Sequence, residues 1–220
     1  MKDAKRAVFF DFDGVLADSW GMHERAWQTV LAAYDTKLPE GVLVTSAGWA
    51  SRDTAETIVT ATGIDVEPKE LALTKDEVFS KQAWTELRPM AGALDALKRL
   101  DSEYYIAVTA PRRKAAVADI LQRYTMDSYV DVVVGVDDLD PKDELDMLFT
   151  LASKKLKVPL EKSVLVDDAR NGILAAKRVG VKVVAFASNP NHTEDHSMAD
   201  AQISSLDELV PELVSQVLAS

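Results

Sequence analysis

Five short apolar runs rich in β-branched residues, each followed by a helical pattern, divide the chain: Ala7 to Phe12, Tyr105 to Thr109, Val130 to Gly135, Ser163 to Val166 and Val181 to Phe186. Runs that stay apolar instead of alternating belong to strands buried on both faces, and strands that alternate with helices build a parallel sheet. The fold class expected is therefore α/β, with helices covering both faces of the sheet.

The stretch from Ser19 to Leu87 interrupts this alternation with helical patterns and no strand. A first helix, N-capped by Ser19, places Met22, Ala26, Trp27, Val30, Leu31 and Tyr34 near one face. A second runs from Ser51 through Ile58 to near Gly63, and a third from Pro68 to about Leu87. Residues 1–18 and 88–220 are thus expected to form a Rossmann-like α/β catalytic core, and residues 19–87 a helical cap inserted after the first strand. Such a cap sits over that strand's carboxyl end, where open parallel sheets bind ligands. The polar tail from Ser188 to Ala199 reads as a surface loop before a short strand near Ile203 and a terminal helix from about Ser205.

Composition narrows the function. The 220 residues carry 36 acidic against 25 basic side chains, a net charge of −11 that repels polyanions, so nucleic acid is not an expected partner. The absence of cysteine excludes thiolate metal sites and a cysteine nucleophile. The basic start leads only into Ala7-Val8-Phe9-Phe10 before Asp11, too short for a signal peptide, and no later stretch approaches the roughly 20 apolar residues of a membrane span. A cytoplasmic protein without a membrane partner is expected.

Asp11 and Asp13 alternate along the first strand and so share a face, with Phe12 opposite. Their repulsion calls for a cation, and an oxygen-only ligand set at this spacing suits Mg2+. Gly14 lets the backbone turn close to them. Asp residues also end strands in solvated turns, so the pair alone leaves both readings open.

The surrounding segment, Asp11-Phe12-Asp13-Gly14-Val15-Leu16, resembles the first motif of the haloacid dehalogenase superfamily, and the resemblance extends over nearly the whole chain. It implies that Asp11 is a nucleophile that takes up a phosphoryl group. Asp13 would protonate the leaving oxygen and then deprotonate the acceptor. Thr109 stands where the family has a hydroxyl for a phosphoryl oxygen, and Lys142 where it has a balancing cation. Here Pro141 precedes the lysine, whereas related sequences have proline after it. Asp167-Asp168, followed by Asn171-Gly172-Ile173-Leu174-Ala175-Ala176, stands for the last motif. The implied metal ligands are Asp11, Asp13 and Asp168, with Asp167 in an outer or weaker role. Asp137-Asp138 lacks that continuation and reads as a solvated acidic turn.

The inserted helices resemble the small cap of one branch of the superfamily, which includes β-phosphoglucomutase and phosphoglycolate phosphatase. His23-Glu24-Arg25-Ala26-Trp27, Ser51-Arg52-Asp53, and Lys75 with Phe79 carry that likeness. By it, Arg52 and Lys75 contact a substrate's distal phosphate or hydroxyls, and His23 positions Asp13. Arg112, with Arg113, begins a helix, where cations oppose the helix dipole and need another reason to be present. Holding a phosphate or second anionic group is such a reason.

The expected function is a Mg2+-dependent phosphatase, a phosphoric monoester hydrolase, acting on a small phosphorylated metabolite through an aspartyl-phosphate, as monomer or homodimer. A sugar phosphomutase would use the same residues, and a catalytically silent binding protein could share the fold. A dehalogenase has no need of Asp13.

Overall fold

The computed structural model describes residues 6–140, 143–187 and 194–220. The chain runs β1 (Ala7–Asp11), β2 (Ala17–Asp18), α1 (Trp20–Ala32), α2 (Val42–Thr45), α3 (Ser51–Thr62), α4 (Pro68–Glu86), β3 (Arg88–Pro89), α5 (Ala93–Asp101), β4 (Tyr105–Thr109) and α6 (Lys114–Arg123). It continues through β5 (Val132–Val134), α7 (Met147–Leu156), β6 (Ser163–Asp167), α8 (Arg170–Arg178), β7 (Lys182–Phe186), β8 (Ala201–Ile203) and α9 (Pro211–Ala219). Six strands form one parallel sheet in the order β5-β4-β1-β6-β7-β8, giving the α/β, Rossmann-like architecture expected.

Every residue of β1 is buried, because the strand is covered on both faces. Val8, Phe10 and Phe12 pack with Leu97, Leu100, Leu206 and Val214. Ala7 and Phe9 face the other way, towards Phe149, Ala152 and Ile173. The Phe9 and Phe149 rings lie nearly parallel, with centroids 6.4 Å apart. Register then sets the site: Asp11 pairs with Thr109, and Phe10 with Val166, so Asp167 comes level with Asp11 at the carboxyl edge.

Between β2 and β3 the chain leaves the sheet and builds four helices around their own apolar cluster of Trp27, Val30, Leu31, Val42, Ala55, Ile58, Leu71 and Ala72. Met22, Ala26, Phe79, Ala83 and Leu87 join the sheet's own cluster instead, so the layer is packed onto the sheet. The short antiparallel pair β2-β3 joins Ala17 to Pro89 and Asp18 to Arg88 where the chain departs and returns.

Three details differ from the sequence reading. Tyr34 lies beyond the end of α1 and is 38% exposed. The fifth strand is shortened to Val132–Val134, since the Asp131 carboxylate, not another strand residue, accepts the Ile106 N–H. Ser205 opens only a single turn, Leu206–Glu208, closed by a reciprocal cap with Glu208, and α9 starts at Pro211, whose missing N–H suits a first helical position. Among the described residues no helix is long and apolar enough to cross a membrane.

Phe9 is fully buried between strands and α7. Phe9→Ala is expected to cost about 3–5 kcal/mol in denaturant unfolding; a loss under about 1 kcal/mol would show that this face is not tightly packed.

Candidate active site

Three carboxylates converge at the carboxyl edge of the central strands: oxygens of Asp11, Asp167 and Asp168 lie within 4.8 Å of one another. β1 delivers Asp11 and β6 delivers Asp167, while Asp168 belongs to the turn into α8. Two glycines make room. Gly14, at φ +84°, has its backbone against the Asp168 carboxylate, where a Cβ would collide with it. A Cβ on Gly172 would strike the Asp167 carboxylate. Asp167 Oδ1 accepts the Ala169 N–H at 2.8 Å, which fixes its orientation.

Burial and mutual repulsion load this cluster. Burial, followed by Asp167, Asp13 and Asp168, pushes the Asp11 carboxyl well above its ordinary range. Burial and then Asp167 do the same to Asp168. Burial raises Asp167 to about 7 against two backbone hydrogen bonds. All three therefore resist ionisation when no cation is present.

Asp13 is handled differently. Burial alone would raise its carboxyl, but Arg112 and then His23 more than reverse this and hold it well below the usual carboxylate range. Arg112 Nη1 donates to both Asp13 oxygens, at 3.1 and 3.4 Å. Its guanidinium lies over the Phe79 ring, 3.9 Å from the centroid. His23 Nε2 is 3.3 Å from Asp13 Oδ1. The Asp13 side chain is thus turned to a cation and an imidazole, outside the group of three.

Behind His23 stands Lys75, only 1% exposed. Its Nζ is 2.9 Å from His23 Nδ1, donates to Ser51 Oγ at 3.0 Å, and lies 3.3 Å from Asp76 Oδ1. An ammonium only donates, so Nδ1 accepts and Nε2 carries the imidazole proton towards Asp13. Burial and then Lys75 lower His23 to about 4, and burial lowers Lys75 to about 8, leaving a neutral histidine beside a charged lysine at neutral pH.

The remaining residues singled out in the sequence fall in several places. Thr109 is buried beside Asp11 and Asp167, with its hydroxyl 3.5 Å from the Phe10 carbonyl. Arg52 is largely exposed, pairs with Glu56 at 3.2 Å, and lines a neighbouring cleft instead of the cavity over Asp11. Lys142 lies outside the described residues. Asp137 accepts the Lys114 N–H at 2.7 Å, capping α6, and Asp138 pairs with Lys155 at 2.7 Å, so this acidic turn holds structure together. Sequence reasoning did not find the bond of Arg112 to Asp13 or the Ser51–Lys75–Asp76 group. The first joins residues 99 positions apart, and only the fold brings them together.

A cavity of about 80 Å3 lies over Asp11, enclosed by Asp13, His23, Trp49, Lys75, Arg112 and Asp168. The family model for haloacid dehalogenase-like hydrolases matches residues 8–186, from β1 through β7. The chain belongs to this family. Among relatives of this hydrolase, fructose-1-phosphate phosphatase YqaB of Escherichia coli (strain K12) is 24% identical over 184 residues, covering 84% of this chain and 97% of that protein. Phosphoglycolate phosphatase 1 of Pseudomonas aeruginosa is 30% identical over 198 residues, covering 85% of this chain and 71% of that one. The crystal structure of β-phosphoglucomutase from Clostridium difficile superposes with a TM-score of 0.82 at 17% identity, covering 98% and 97% of the two chains, and so shares the fold.

The raised carboxyls set a pH dependence. Asp167 keeps its proton to about 7 when folded but only to about 3.9 when unfolded, so folding takes up protons in that window and stability falls as pH rises through it. His23, lowered to about 4, acts in the opposite sense below about 6.5, and Lys75, lowered to about 8, begins to do so only near pH 8. In EDTA, the thermal midpoint is therefore expected to be lower at pH 8 than at pH 6.5. A higher midpoint at pH 8 would mean that the cluster is not protonated in the folded protein.

Proposed function

We propose that this protein is a Mg2+-dependent phosphatase of a small phosphorylated metabolite, with Asp11 as the residue that takes up the phosphoryl group. The observation that carries this reading is the separation of four carboxylates: three converge and are hard to ionise, while Asp13 is held apart as an anion. The converging set fits Mg2+, because its donors are all carboxylate oxygens on two adjacent strand ends and they share a charge problem that a hard divalent cation relieves. Asp11, Asp168 and Asp167 would hold it, Asp167 more directly than the sequence suggested, while the Asp13 side chain, read there as a ligand, is turned to Arg112 and His23. When bound, it would screen the phosphoryl charge and polarise a phosphoryl oxygen.

The residues of the chain then divide the work. A carboxylate oxygen of Asp11 attacks phosphorus, and the bond from phosphorus to the ester oxygen breaks. That oxygen takes its proton from Asp13. Water next attacks the phosphorus on Asp11, Asp13 accepts the proton, and inorganic phosphate leaves with the Asp11 carboxylate regenerated. With Arg112 on Asp13, the carboxylate is set up as the base of the second half. For the first half, Arg112 must exchange Asp13 for an anionic group of the incoming ester, which would let Asp13 carry a proton. Thr109, at the end of the strand beside Asp11, would donate to a phosphoryl oxygen, and Lys142 would supply a cation as the family resemblance implies.

A cavity of about 80 Å3 has room for roughly three waters at about 30 Å3 each, which suits a compact ester. Relatives named as phosphatases of fructose 1-phosphate and phosphoglycolate support the same size class. The enclosure of the cavity by the helical layer also suits transfer to a sugar hydroxyl, the mutase reading. Interconversion of sugar phosphate isomers that needs a bisphosphate primer would favour it over release of inorganic phosphate.

In a panel of small phosphate esters, hydrolysis is expected with Mg2+ and not with EDTA, and Asp11→Asn is expected to lower kcat by roughly 10^4-fold or more. Activity that survives EDTA, or Asp11→Asn within tenfold of wild type, would sink the reading. Arg112→Ala is expected to reduce kcat/KM by about 10- to 100-fold, the scale of one or two charge-assisted hydrogen bonds. An unchanged kcat/KM across the panel would remove Arg112 from the site's working parts.

A further inference from the structure

The turn that carries Asp168 into α8 is gripped from outside by residues 194–196. The peptide unit joining Asp168 to Ala169 is bonded at both ends. Its N–H donates to Asp167 Oδ1 at 2.8 Å, and its C=O meets His196 Nε2 at 2.9 Å. A carbonyl only accepts, so the imidazole proton at this contact sits on Nε2. Glu194 Oε2 accepts the N–H of Arg170, the first residue of α8, at 3.0 Å, and the Arg170 guanidinium lies 3.7 Å from Asp195. Further along, Asp200 fastens the segment by accepting from Val183 N at 2.7 Å and Lys177 Nζ at 2.8 Å.

Hydrogen bonds at the two ends of one amide reinforce each other, because each polarises the group the other uses. His196 therefore strengthens the N–H bond that aims Asp167, and it stops the peptide from rotating and carrying the Asp168 side chain with it. Gly14 and Gly172, pressed against these two carboxylates, already fix them from the other side. His196 does not line the cavity over Asp11.

We propose that His196 is a positioning residue for the divalent-cation site, acting through the Asp168–Ala169 peptide on Asp167 and Asp168. The proposal rests on reading the acidic cluster as a cation site. A histidine that merely fastened a loop would affect unfolding temperature and leave cation affinity alone. Outer partners that orient metal-binding carboxylates typically alter affinity by about 10- to 100-fold when removed.

The test is cation binding by the full chain without substrate, with Mg2+ followed by calorimetry and Mn2+ by electron paramagnetic resonance. His196→Phe, which keeps a ring but has no donor, is expected to weaken both cations by about 10- to 100-fold. His196→Gln, whose amide can still donate, is expected to stay within about threefold of wild type. His196→Phe binding as tightly as wild type would overturn the proposal. Equal weakening by Phe and Gln would also overturn it, since donation to the carbonyl would then not be the cause. Should the Phe variant not fold, His196→Ala in the same titration decides. If the wild type binds neither cation, it is the reading of the cluster that fails, and the proposal falls with it.

Discussion

The repulsion among Asp11, Asp167 and Asp168 is the constraint around which the carboxyl edge of the sheet is built. Three carboxylates with oxygens within 4.8 Å, buried at strand ends, cannot all ionise without a compensating charge. The parallel register brings them together: β1 and β6 are adjacent, and Phe10 opposite Val166 leaves the next residue of each strand, an aspartate, at the same level. The glycines that touch these side chains and the Ala169 N–H that bonds Asp167 keep the cluster compact. The apolar packing of both sheet faces supports a local arrangement that is unfavourable by itself.

The helical layer answers a second charge problem. Asp13, two residues beyond Asp11, is stabilised as an anion by Arg112 from the sheet side and by His23 from α1. His23 is in turn set by Lys75 of α4, and Phe79 of the same helix lies beneath Arg112. Cap and core thus meet on one carboxylate. A movement of the helical layer would take His23 from Asp13 without moving Asp11, which on the proposed function would link opening of the site to proton transfer.

Much of this architecture was legible in the sequence because its signals are local. Continuous apolar runs marked the buried strands, and the three long helices between β2 and β3 fell where their periodicity and the Pro68 start placed them, although the Ser19 side chain makes no capping bond to α1. Tyr34 was misplaced because a residue with helical spacing can lie just past the helix end, and Ser205 because a cap signal does not distinguish a single turn from a long helix. The candidate site was legible as residue types at strand ends. Its pairings were not: Arg112 looked like a free cation awaiting an anion, yet it already has Asp13. Lys75, read as a substrate contact, borders the cavity over Asp11, but its ammonium is held by His23, Ser51 and Asp76, pairings that no local pattern shows. His196 sits in a polar loop whose pattern carries no trace of the Asp168 carbonyl it bonds.

The central claim is that the phosphoryl group passes through Asp11, and acid-quenched single-turnover mass spectrometry tests it most directly. Enzyme in excess over a hydrolysable phosphate ester with Mg2+ is predicted to give a phosphorylated peptide with the modification on Asp11, appearing and then decaying as inorganic phosphate is released. Turnover at full rate with no phosphoryl group ever found on Asp11, or with the group on another residue, would contradict the account.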